Sequence, residues 1–124
     1  MKKAVIINSL KQAQDIVDLV DAYMVPIQKF SMNYDHVFSL SAIKEIKALN
    51  KEVFVIINKN IHNDELAELQ NLLNDLDKIA ITGLVFYDVA LVNLKTKLKL
   101  KTDLVWAQEH MTTNYATINY WYDK

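Results

Sequence analysis

Short apolar runs and helix-spaced apolar residues take turns along this chain. Lys3 to Asn8, KAVIIN, is a brief β-branched run that stops at a polar residue. Ser9 follows where a helix N-cap would stand, with Gln12 three residues on as in a capping box. Ala13, Ile16, Val17 and Val20 then recur at helical spacing. Ala22 to Gln28, AYMVPIQ, is a second apolar run. Pro26 inside it predicts an edge or irregular strand, because proline brings no N–H to a ladder. Lys29 to Phe38 has no clear period and reads as a loop with room for a helical turn.

The helical pattern returns from Ser41 to Asn50, with Ala42, Ile43, Ile46 and Leu49 on one face and Asn50 as its stop. Val53 to Asn58, VFVIIN, is the clearest strand. It is apolar on both faces, as a parallel strand covered on both sides requires. Asp64 to Ile79 is the clearest helix, with Leu66, Leu69, Leu72, Leu73, Leu76 and Ile79 as its buried stripe. Asn63 is placed to cap it, and Asp64 and Glu65 suit the positive end of its dipole. Ile81 to Asp88 predicts a fourth strand and Val89 to Leu94 a short helix. Thr102 to Gln108 predicts a fifth strand and Asn114 to Tyr122 a closing helix. Lys95 to Lys101, KTKLKLK, places lysine at every second position; it reads as a solvated turn that discourages edge pairing.

The pattern is therefore an α/β chain of five β-α units, one domain over residues 1–124, with a parallel sheet and right-handed crossovers. Such units suit either an open doubly wound sheet or part of a (β/α)8 barrel, and a whole barrel needs about 200 residues or more. The closing NYATINYWYDK carries Tyr115, Ile118, Tyr120, Trp121 and Tyr122 on more than one helical face. That favours part of a longer barrel, and predicts a surface covered by a second copy of the chain.

Composition narrows the chemistry. Zero cysteines exclude disulfides, thiolate metal sites and cysteine nucleophiles within the chain. All 14 basic residues are lysines, so no bidentate arginine clamp is available. The single glycine, Gly83, excludes phosphate-cradling and dinucleotide-binding glycine loops. A net charge of −1 supplies no field toward nucleic acid, which is not an expected partner on this ground. The apolar run after Met1 is too short for a signal peptide or a membrane span, so a cytoplasmic protein without membrane contact is expected. No cofactor is expected, and histidines lack a metal-binding spacing.

In parallel α/β folds, function gathers at the C-terminal ends of the strands. Those ends are Asn8, Gln28, Asn58, Asp88 and Gln108, with His110 just beyond. Asp88 is the one carboxylate and the candidate general base or metal ligand, and His110 could serve as acid, base or ligand. Asn8, Gln28, Asn58 and Gln108 are candidate substrate-binding groups. The plain alternative is that strands end in polar residues because loops meet water.

The run VFVIINKNIHNDELAELQNLLNDLDKIAITGLVFYDVALVNL resembles the third and fourth β-α units of the collagenase-like peptidases, family U-32. LVWAQEHMTTNYATINYWYDK resembles the next unit, a strand ending near glutamine, a Thr/Asn turn and an aromatic helix. The resemblance covers roughly Lys51 to Lys124, while residues 1–50 fit in strand-helix order alone. It implies the N-terminal part of a TIM-type barrel and a hydrolase acting on peptide bonds, inactive as an isolated segment. Some members of the family are instead assigned to hydroxylation of RNA bases. A small noncatalytic α/β binding module is the rival from outside the family. The chain departs from the family in lacking a glycine-rich, arginine-containing turn near its start, and in having His110 where asparagine is usual.

Overall fold

A computed structural model describes residues 1–107 and 113–123. Five parallel strands run in the order of the chain: β1 (Ala4–Ile6), β2 (Ala22–Pro26), β3 (Glu52–Ile57), β4 (Gly83–Phe86) and β5 (Asp103–Trp106). Between and after them lie α1 (Leu10–Asp15), α2 (Leu40–Lys47), α3 (Leu66–Ile79), α4 (Ala90–Leu98) and α5 (Tyr115–Tyr122). Each strand pairs with its sequence neighbour, so the winding never reverses. With right-handed crossovers every helix then falls on one face, the arrangement of a barrel sector and not of a doubly wound sheet.

The register sorts the side chains by face. Tyr23, Val25, Val53, Val55, Ile57, Leu84 and Phe86 belong to the main core, together with Ile43 and Ile46 of α2 and Leu69, Leu73 and Leu76 of α3. Residues of the opposite parity lie outside that core. In one row across all five strands they are Ile6, Met24, Phe54, Gly83 and Asp103. In the next row Pro26, Ile56, Val85 and Val105 align. This inner face is mostly apolar; Ile6 and Val105 on it are exposed. In a closed barrel the same face is the filled interior.

Local chemistry explains the elements. Ser9 caps α1 by accepting from the Gln12 N–H at 3.1 Å, and the Gln12 side chain reaches back to the Asn8 N–H at 2.7 Å. Ser39 caps α2 and Asn114 caps α5. Buried Tyr23 donates to the Ala13 carbonyl at 2.6 Å, which fastens α1 to the sheet. Burial, with a contribution from the charge of Asp18, raises its pKa.

Three expectations are corrected. First, β2 is an interior strand, paired with both β1 and β3, despite Pro26. Residues of its parity turn their nitrogens toward β1, as Ala22 does toward Lys3, but β1 has ended before Pro26. The missing N–H therefore falls where no ladder remains, and the Pro26 carbonyl accepts from Phe38 N–H instead. Second, KTKLKLK is only in its second half a turn: α4 runs on to Leu98, and the chain leaves it through left-handed Lys99 between the buried Leu94 and Leu100. The alternating lysines mimic a strand period, whereas their spacing places them around the last turn and its exit. Third, His62 and not Asn63 precedes the 3₁₀ turn that opens α3, and the Glu65 carboxylate accepts from the His62 N–H at 3.0 Å.

Candidate functional site

The strand C-termini form a rim whose polar side chains are largely engaged with backbone. Asn58 lies one residue beyond β3 and is half-buried. Its Oδ1 accepts from the Met32 N–H at 2.8 Å, and its Nδ2 donates to the Met32 carbonyl at 3.1 Å. Met32 belongs to the β2–α2 loop, which Ser31 also ties down. The Ser31 hydroxyl donates to the Ile56 carbonyl and accepts from the Ile27 N–H, both at 2.6 Å. Lys29 and Asn33 in this loop hold left-handed backbone at φ 68° and 65°.

Asp88, two residues beyond β4, does the same for the β3–α3 loop. Its Oδ2 accepts from the Ile61 N–H at 2.8 Å, and its Oδ1 from the Ala90 N–H, at the start of α4, at 2.8 Å. Asn8 and Gln28 are exposed. The Gln28 N–H donates to the Phe38 carbonyl at 3.0 Å. Of the six candidates from the sequence, Asn58 and Asp88 are thus brought into one continuous rim. Gln108 and His110 lie outside the described residues.

The lysines at this rim are paired. Lys29 Nζ meets Glu68 at 2.6 Å, and Lys59 meets Glu65. The Glu65 carboxyl is held below its usual pKa, first by the Lys59 hydrogen bond and then by the His62 N–H, against the smaller opposing effect of burial. Among the described residues, no group of three or more histidines and carboxylates is arranged to hold a metal ion. Ser31, Met32 and Ile61 carry as much of the rim as the strand-end residues do. Nothing in the sequence announces them, because their partners stand 25 to 27 residues away.

A sheet wound in one direction, with its helices on one face and a rim of strand-end loops, defines the class: a sector of a (β/α) barrel. The chain belongs to peptidase family U32, whose profile it matches over residues 8–124. The match confirms the family and extends it over most of the first fifty residues, where only element order had indicated it. Among curated proteins the chain is similar to tRNA hydroxylation protein P2 of Bacillus subtilis (strain 168), with 30% identity over 129 aligned positions. That alignment covers 98% of this chain and 42% of the relative, so the chain spans about two fifths of the relative's length. No solved structure matches the chain.

Proposed function

We propose that this chain forms the N-terminal sector of a barrel that takes part in tRNA hydroxylation. The observation that carries the reading is the similarity to tRNA hydroxylation protein P2, which runs through 98% of the chain and not through one motif. A shared scaffold of that extent, including the rim, favours a shared reaction over the peptide hydrolysis in the family's name. The sector contributes scaffold and rim loops, and the other units of such a barrel complete the reaction face. By itself the sector is inactive in this reading.

The net charge of −1 gives this sector no pull of its own toward nucleic acid. The rim lysines Lys29 and Lys59 are neutralised by Glu68 and Glu65, so the phosphate contacts that hold RNA come from outside this sector. Asn8 and Gln28, exposed at the rim, are the groups offered to substrate, and His110 stays the candidate acid or base from the sequence.

The family description favours a second reading, collagenase-like peptidase activity. The two separate in one pair of assays on the complete barrel that carries this sector: retention of labelled tRNA and hydrolysis of gelatin. tRNA retention without gelatin cleavage supports the proposal. Cleavage of gelatin with no affinity for tRNA replaces it with the peptidase reading.

A further inference from the structure

We infer that Asn58 and Asp88 are positioning residues, each of which fastens the rim loop of the preceding β-α unit to its own strand end. Both contacts cross from one unit to the one before it, Asn58 to Met32 over 26 residues and Asp88 to Ile61 over 27. The residue types fit their partners. At Met32 the backbone presents one N–H and one carbonyl, and an asparagine amide offers one acceptor and one donor to match. At Asp88 both partners, Ile61 and Ala90, present N–H groups, and an ionised carboxylate offers acceptors alone. An Asn/Asp exchange at either site would set one wrong atom against the backbone.

The consequence is a preorganised mouth. The β2–α2 loop is held by Asn58 and Ser31, and the β3–α3 loop by Asp88 and by the Glu65–His62 contact. Strand-end loops make the reaction face in this architecture, and loops fixed beforehand cost less ordering when substrate binds. Asn58 therefore acts through the β2–α2 loop and not by touching substrate. The link to substrate rests on the tRNA reading above; the fastening itself does not.

Amide hydrogen exchange on the protein and its variants tests this directly. Asn58→Ala is expected to speed exchange at Met32 by about tenfold, the loss of roughly one hydrogen bond, while β4 amides keep their protection. Asp88→Ala does the same at Ile61. Asn58→Asp, which keeps the acceptor for the Met32 N–H, gives a smaller change and serves if the alanine variant folds poorly. Unchanged exchange at Met32 in both Asn58 variants overturns the fastening. In the complete barrel that carries this sector, Asn58→Ala is expected to raise KM for tRNA more than it lowers kcat. A fall in kcat at unchanged KM would instead make Asn58 a direct participant and overturn the positioning role. If deletion of the gene leaves the hydroxylated nucleosides of tRNA unchanged, the tRNA reading fails, while the exchange measurement still decides the fastening.

Discussion

Asp77 and Thr102 meet twice at one oxygen: Asp77 Oδ1 accepts from the Thr102 N–H at 2.8 Å and from its hydroxyl at 2.7 Å. The Lys101 N–H adds a third bond at 2.9 Å. Together they tie the last turn of α3 to the start of β5, at the end of the sheet opposite the rim. Thr102 is the one polar residue among those buried in the described chain. Burial alone would raise the Asp77 pKa, but the Thr102 hydroxyl, the two N–H groups and the Lys101 charge together outweigh it and lower the value.

The sign of the pH dependence follows. A carboxyl with a folded pKa below its unfolded value of about 3.9 stabilises the fold fully above that value. The contribution is lost as pH falls through the folded pKa. Urea unfolding of wild type and Asp77→Asn between pH 7 and pH 3 is expected to show a wild-type advantage that shrinks below about pH 4. An advantage that grows on acidification would contradict the assignment. Thr102→Val, which removes only the hydroxyl, is expected to cost about 1 kcal/mol at pH 7.

Gly83 is required by its neighbour and not by its backbone angle. A Cβ there would lie 2.9 Å from Phe54 Cδ1 and 3.3 Å from the Asp103 carbonyl oxygen. Gly83→Ala is expected to destabilise by about 1–3 kcal/mol through overpacking. Combined with Phe54→Leu the cost should be less than the sum, since the aromatic ring is the nearest obstacle. Strict additivity in thermal unfolding would place the clash elsewhere.

Ala80 ends α3 in the left-handed region, at φ 59°. With a Cβ this conformation is strained, and glycine relieves the strain at some cost in unfolded-chain entropy. Ala80→Gly is expected to raise stability by about 0.5–1 kcal/mol, measured by the denaturation midpoint. A lower midpoint would contradict the strain.

The outer helix and the free strand edge predict self-association of the isolated chain. Tyr115, Ile118, Tyr120 and Tyr122 of α5 are more than half exposed, and Val105 on the inner face of β5 is exposed as well. The helix is anchored by the packing of Trp121 on Trp106, with ring centroids 4.3 Å apart. Sedimentation velocity should show a concentration-dependent rise in mass, reduced by Tyr115→Ser with Tyr122→Ser. A monomer throughout the concentration series would count against it.

The order of elements was legible because each strand and most helices carry their own apolar period and caps. Ser9, read from Gln12 three residues on and found capping α1, shows that a cap is a local event. What lay beyond reading was the consequence of neighbours. Pro26 sits harmlessly inside the sheet because β1 is short, and the first half of KTKLKLK continues α4 to Leu98 before the chain leaves it at Lys99. At the rim, strand-end position singled out Asn58 as a substrate-binding candidate and Asp88 as a catalytic one, and the structure shows both bonded to the backbone of neighbouring loops. Strand-end position did not reveal those bonds, since Met32 and Ile61 come close only through the sheet register.

The central claim is that this sector belongs to a protein of tRNA hydroxylation. The most direct test is mass spectrometry of tRNA nucleosides from cells with the gene intact, deleted and restored. The account predicts a hydroxylated nucleoside that disappears on deletion and returns on complementation. An unchanged set of hydroxylated nucleosides in the deletion strain would contradict it.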